Sequence, residues 1–114
     1  MESRTVSALR LVGLARRAGA VAPGTDAVRR AIREGEAQLI LMASDASSVQ
    51  LDKIRGTLNN RAIPQRYLGD RNALGEAVGL GPLAAVAITA GPLAERLIEE
   101  LPGGTEDGAD TEEG

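Results

Sequence analysis

The sequence predicts an α/β domain with helices above and below a sheet, on three observations. Apolar stripes of helical period alternate along the chain with short runs of strand-forming residues. Leu39, Ile40, Leu41, Met42 and Ala43 form an unbroken apolar run between polar neighbours, the pattern of a strand covered on both faces. Glycines and N-capping residues stand where one element should give way to the next.

Ala8, Leu11, Val12 and Ala15 fall at i, i+3, i+4 and i+7, one apolar stripe on a helix from about Arg4 to Ala18, with Gly19 as its stop. Val21 to Gly24 is a short extended link. Gly24 or Thr25 then caps a second helix through Arg33, ended by Gly35, whose buried side is Val28, Ala31 and Ile32. After the apolar strand, Ser44 to Ser48 offers several N-caps for a third helix that runs to about Asn60, marked by Val49 or Leu51, Ile54 and Leu58. Ile63 to Leu68 reads as a strand with Pro64 near its start, where proline is tolerated. Asp70 caps a short fourth helix carrying Ala73, Leu74 and Ala77, stopped at Gly79. Leu83 to Thr89 alternates like a strand around Val86 and Ile88. Pro92 suits the first helical position of a last helix that turns Leu93, Leu97, Ile98 and Leu101 to the core.

At 114 residues the chain makes one domain, expected over residues 1–101, with a disordered acidic tail over 102–114. It has no cysteine and no histidine. That excludes disulfides and thiolate metal sites and removes the usual general base near neutral pH. No apolar stretch approaches a membrane span. Ser3 to Thr25 contains four arginines and no acid, and Ala18, Gly19, Ala20 resemble a cleavage site, but Leu11 to Ala15 is too short a core for a secretory signal. An organellar transit peptide is the alternative to the first-helix reading.

The net charge of −3 averages two unlike segments. Residues 1–98 hold all 13 cations against nine acids, a net +4, whereas residues 99–114 carry seven acids and no cation. Such a division points to a polyanionic partner for the body. Twelve of the 13 cations are arginine, which suits phosphate and guanine edges, although a coding bias explains the same count. For the tail, the simplest role is solubility, and a self-competitor for the basic body is the other.

Four motifs carry the functional argument. Pro23, Gly24, Thr25 and Asp26 precede Arg29, Arg30 and Arg33, so a helix start able to hold phosphate lies near a cluster of guanidinium groups. A capped surface helix with solvated arginines is the plainer alternative. Asp45 lies just past the carboxyl end of the apolar strand, where open α/β sheets place ligands. A phosphoacceptor or magnesium carboxylate there would need Asp70 as its partner; an ordinary helix N-cap needs none. Gly79 to Ala84 spells G-x-G-x-x-A but follows a helix and opens a strand, the reverse of a dinucleotide fingerprint. It offers a small-residue loop that permits close backbone approach. Finally, Tyr67 is the lone aromatic, and modules that read single strands stack bases on several. An RNA partner would therefore be gripped as a folded shape.

The ordered set Gly24-Thr25-x-x-Val28, Ala31-x-x-x-Gly35-x-Ala37-x-Leu39, Ala43-x-Asp45, Ile63-Pro64, Leu74-Gly75-x-Ala77-x-Gly79 and Ala85-x-Ala87-Ile88 resembles the kink-turn-binding ribosomal protein family. That family embraces the large-subunit proteins called seven-Ae and thirty-e, small-subunit twelve-e, Gadd-forty-five-like proteins and small stand-alone bacterial members. The resemblance spans about Leu9 to Leu101. It implies a three-layer α-β-α sandwich around a mixed four-stranded sheet, no enzymatic activity and no cofactor. It further implies binding of structured RNA, ribosomal in setting, by a cytoplasmic protein that is monomeric when free and has ribosomal proteins as further partners. The RNA site carried over is Gly24, Thr25, Asp26, Ala27, Arg30 and Asp45 with the loop Leu80, Gly81, Pro82, Leu83 and Ala84; Arg29 and Arg33 are expected to add phosphate contacts. Where the kink-turn binders have Asn then Glu, this chain has Asp26 then Ala27. A carboxylate cannot donate to guanine O6, but it can accept from the guanine Watson–Crick edge. The alternative function is a protein-interaction adaptor on the same fold.

Overall fold

The computed structural model describes residues 3–101, so the tail expected over residues 102–114 lies outside the described residues. The order of elements is α1 (Arg4–Arg17), β1 (Val21–Pro23), α2 (Thr25–Arg33), β2 (Leu39–Met42), α3 (Ser48–Leu58), β3 (Gln65–Tyr67), α4 (Arg71–Ala77), β4 (Ala85–Ile88) and α5 (Gly91–Glu100). The sheet runs β1-β4-β2-β3. β4 is antiparallel to both β1 and β2, and β2 is parallel to β3, so the sheet is mixed.

The two-residue period of the central strands sorts their side chains to opposite faces. Leu39, Leu41, Val86 and Ile88 join Ala8, Leu11, Val12 and Ala15 of α1, Leu74 of α4 and Leu97 of α5 in one cluster. Ile40, Met42, Ala85 and Ala87 join Val28, Ala31 and Ile32 of α2 and Leu51, Ile54 and Leu58 of α3 in the other. The result is a three-layer sandwich. Each buried aliphatic contributes roughly 1.5–3 kcal/mol relative to exposure.

The helix faces lie where the apolar periodicity puts them, and several details differ. The extended link after Gly19 is a true edge strand: Pro23 takes part because its missing N–H faces away from the β1–β4 ladder. β3 and β4 are shorter than predicted, and all four residues of β4 are buried instead of alternating, because β4 lies between β1 and β2 with helices on both sides. On α3, Leu51 is buried and Val49 is 63% exposed. Pro92 occupies the second helical position, after Gly91. Asp45 does not cap α3. That role belongs to Ser47, whose hydroxyl accepts from the Gln50 N–H at 3.2 Å.

Arg66, nearly buried on the edge strand β3, ties two distant segments together. Its Nε donates to the Leu101 carbonyl at 2.8 Å, which fixes the end of α5 against the sheet.

Candidate nucleic-acid interface

A cleft of about 500 Å³ opens between the start of α2 and the loop leading into β4. Pro23, Gly24, Thr25, Asp26 and Ala27 form one wall and Pro82, Leu83 and Ala84 the other; Gln50 and Lys53 of α3 complete it. The walls face each other because the sheet puts them there. Pro23 pairs with Val86, and the Gly24 N–H donates to the Ala85 carbonyl at 2.9 Å. Gly24 turns the chain from β1 into α2 at φ +94°, a conformation that L side chains rarely adopt. A Cβ there would sit 3.7 Å from Leu83, ordinary contact, so the dihedral and not crowding demands glycine.

The loop wall is held from behind. The Leu83 N–H donates to the Arg71 carbonyl at 3.1 Å and the Leu80 N–H to the Gly75 carbonyl at 2.9 Å, which moors both ends of the turn to α4. Gly75 packs directly under Gly81.

The start of α2 is chemically distinct from those of its neighbours. α1, α3 and α4 are capped by the side chains of Ser3, Ser47 and Asp70, whereas no side chain caps α2 or, on the other face of the sheet, α5. The first backbone N–H groups of α2 therefore remain available at the wall of the cleft, together with the positive end of the helix dipole. Lys53 adds an exposed ammonium and Asp26 an exposed carboxylate. The Thr25 hydroxyl oxygen is buried without a hydrogen-bond partner.

The structure gathers Gly24, Thr25, Asp26, Ala27, Pro82, Leu83 and Ala84 into this one cleft. Leu80 and Gly81 are exposed on the same loop but do not line it. Arg30 and Arg33 project from α2 into solvent beyond the lining, and Arg29 donates from Nε to the Thr57 hydroxyl at 2.9 Å, tying α2 to α3. Asp45 lies outside the lining. Its Oδ1 accepts from the Arg71 N–H at 2.8 Å and its Oδ2 faces the Arg71 Nε at 3.4 Å, so it closes the start of α4 across the sheet. The backbone N–H of Arg71 lowers the Asp45 pKa below the ordinary carboxylate range; partial desolvation opposes this and the guanidinium assists it. Asp70 is engaged with the Ala73 N–H at 2.8 Å. Among the described residues no group of three carboxylates, cysteines or histidines is placed to hold a metal.

Gln50 and Lys53 are the cleft residues the sequence reading missed. They lie three apart beside the buried stripe Leu51, Ile54 and Leu58, so helical phase alone puts them on one flank of α3. That this flank borders α2 follows only from the sheet order. Tyr67 lies apart from the cleft, and its hydroxyl accepts from the Arg55 guanidinium at 3.3 Å.

Comparison with known proteins places this geometry in context. The family model described as ribosomal protein L7Ae/L30e/S12e/Gadd45 family matches residues 7–96. The RNA-binding protein YlxQ of Bacillus subtilis (strain 168) is 36% identical over 91 residues, 80% of this chain and 91% of that protein. A solved structure of a protein of unknown function from Bacillus halodurans superposes with a TM-score of 0.76 at 27% identity, covering 82% of this chain and 94% of that one. The Giardia lamblia 15.5kD RNA binding protein superposes with a TM-score of 0.72, covering 89% of this chain and 90% of that one. At 19% identity, this second likeness is one of fold.

Proposed function

Because the chain belongs to the ribosomal protein L7Ae/L30e/S12e/Gadd45 family, we propose that it is a non-catalytic RNA-binding protein that grips bent, kink-turn-like RNA in a ribosomal or ribosome-associated particle. The observation that carries this reading is the cleft, in which an uncapped helix start, a lysine and a small-residue loop converge. The free N–H groups of α2 suit a phosphate or a base carbonyl. Lys53 suits a neighbouring phosphate, and Arg30 and Arg33 extend the cationic surface along α2. Asp26 would accept hydrogen bonds from a guanine Watson–Crick edge. The cleft contains no aromatic ring, so a single strand gains no stacking there. RNA already folded into a sharp bend loses less entropy on binding. The similarity to the RNA-binding protein YlxQ supports RNA as the partner.

The test is fluorescence anisotropy with three labelled RNAs at one salt concentration: a kink-turn, a straight duplex of matched length, and a single strand. The kink-turn should bind most tightly and the single strand least. Asp26→Asn, which restores a donor toward guanine O6, should tighten kink-turn binding by roughly 5- to 160-fold, the worth of about one good base contact. Equal affinity for all three RNAs would remove the shape-reading claim. An unchanged affinity in Asp26→Asn would remove Asp26 from base contact.

A further inference from the structure

Tyr67 ends the edge strand β3 and is 42% exposed, although it is the sole aromatic residue in a chain without phenylalanine or tryptophan. It packs into neither core cluster. Cross-strand register fixes where it stands. Tyr67 pairs with Met42, and Met42 with Ala85, so the three residues form one row across the sheet. At two inter-strand spacings, the Tyr67 backbone lies about 10 Å from that of Ala85, whose neighbour Ala84 lines the cleft. Paired residues project to the same face, and Met42 faces α2 and α3, so the ring stands on the α3 side. There the Arg55 guanidinium donates to its hydroxyl at 3.3 Å.

The cleft and the ring border the same helix from two sides. On α3, Gln50 and Lys53 lie on one flank of the buried stripe Leu51, Ile54 and Leu58, whereas Asp52 and Arg55 lie on the other. The exposed crest between the flanks is formed by Val49 and Gly56, too small to bar a strand. The flank beside the ring is balanced in charge. Asp52 stands 3.6 Å from Arg55, so the cation there is matched and a phosphate gains nothing from it. What this flank offers is an aromatic face, held in place through its hydroxyl. We propose that Tyr67 stacks one unpaired nucleobase that flanks the bent RNA held in the cleft. This inference rests on the RNA-binding reading of that cleft and adds a contact made to a base instead of a phosphate. Three nucleotides at a rise of roughly 3.4 Å each cover the separation. A single stack on one ring tolerates any base, because every base has a π-face.

The rival occupants fit less well. A proline-rich peptide docks in a groove lined by aromatic rings, and this surface has one ring. An added β-strand, from a peptide or a second copy, would meet an edge of three residues whose Gln65 carbonyl already accepts from Arg66 Nη1 at 2.9 Å.

The experiment uses the full chain, isotope-labelled, in which Tyr67 supplies the only aromatic spin system of the protein. The probes are a blunt-ended kink-turn RNA, the same RNA extended at one end or the other by three unpaired adenosines, and the extended RNAs with abasic sugars in place of the adenosines. An adenosine-extended RNA should move the Tyr67 ring protons upfield through the ring current of the stacked base, and the blunt and abasic RNAs should not. Tyr67→Leu should weaken binding of that extended RNA about fivefold or more and leave blunt RNA affinity unchanged. The log–log salt slope should stay as it was, since no phosphate contact is lost. Tyr67→Phe should keep the advantage of the extension, because the ring face survives loss of the hydroxyl. Shifts of the Asp26 and Lys53 amides with an unmoved ring would overturn the stacking proposal alone. No shift at either place would overturn the cleft reading and this inference with it. An equal loss for blunt and extended RNA in Tyr67→Leu would reject base stacking, as would a reduced salt slope. Ring shifts on diluting the protein alone would assign the surface to a second copy instead.

Discussion

Replacing Gly75 by alanine tests how the loop wall of the cleft is supported. Gly75 is buried in α4, and a Cβ built on it would overlap the Gly81 carbonyl oxygen outright, come within 2.7 Å of the Gly81 carbonyl carbon and lie 3.1 Å from the Leu80 oxygen. All three atoms are backbone, so no rotamer change can relieve the overlap. Helix propensity alone favours alanine by roughly 0.5–1 kcal/mol. Overpacking a rigid site costs about 1–3 kcal/mol or more, and contact with backbone belongs at the upper end. The net expectation is a loss of about 2 kcal/mol, or roughly 8–15 °C in Tm for a domain of this size.

Gly56 is the matched control, since it is exposed in α3 with nothing within 4 Å of a Cβ. Gly56→Ala should therefore stabilise by about 0.5–1 kcal/mol, with the opposite sign for the same chemical change. Urea and thermal unfolding followed by circular dichroism read both variants. Because Gly81 precedes Pro82 in the chain, Gly75→Ala should also weaken RNA binding at temperatures where it is fully folded. If both glycine variants gained stability together, the claimed contact between α4 and the loop would be refuted.

Arg30→Ala should lower RNA affinity about equally across sequences and reduce the log–log salt slope by about 1; an unaltered slope would place Arg30 outside the interface. Lys53→Ala should do the same by removing a cation from the cleft itself, and an unaffected affinity would count against the α3 wall. The Asp45 carboxylate is held below its ordinary pKa in the folded state, so its stabilising contribution is present above about pH 3.9 and fades as pH falls through the lower folded value. Asp45→Ala should thus lower Tm at pH 7 and have a smaller effect near pH 3; an equal penalty at both would rule out the charged contact with Arg71. Asp70→Ala should cost about 1 kcal/mol in urea unfolding through loss of the α4 cap, and no change would show that water substitutes for it.

The buried faces of α1 and α2 were legible because each is a single amphipathic stripe whose phase the sequence fixes residue by residue. Gly19, Gly24, Gly35 and Gly79 all have positive φ, where their positions between apolar stripes had suggested breaks. The shape of β4 was not legible. An alternating run and a doubly buried strand differ only in what lies across the sheet, and Ala85 and Ala87 are small enough to read either way. Asp45 shows the same limit. Its local context offered an N-cap for α3, but its partner is Arg71, 26 residues away, brought near only because β2 and β3 are parallel neighbours. The α2 and loop walls of the cleft followed from resemblance, whereas Gln50 and Lys53 required knowing which helix flanks α2.

Under the proposed function, the construction of the cleft also constrains how it would discriminate among RNAs. Its two principal walls sit on adjacent strands, joined by the Pro23–Val86 pairing and the hydrogen bond from Gly24 to Ala85, so its width is set by the β1–β4 ladder and cannot change without breaking that ladder. Neither wall contributes a long flexible side chain to its floor: Pro23, Gly24, Thr25 and Ala27 face Pro82, Leu83 and Ala84. A slot of fixed width lined by small residues selects by what fits. Polar selection is left to Asp26 on one wall and to Gln50 and Lys53 on α3. It follows that substitutions at Asp26 should change which base is preferred, whereas substitutions in the β1–β4 ladder should change whether any bent RNA fits. A variant such as Ala85→Val, buried on the α2 side of β4 beside that ladder, should therefore reduce affinity for kink-turn and mismatched bent RNAs in equal proportion. A selective loss for one RNA sequence would show that the walls move on binding.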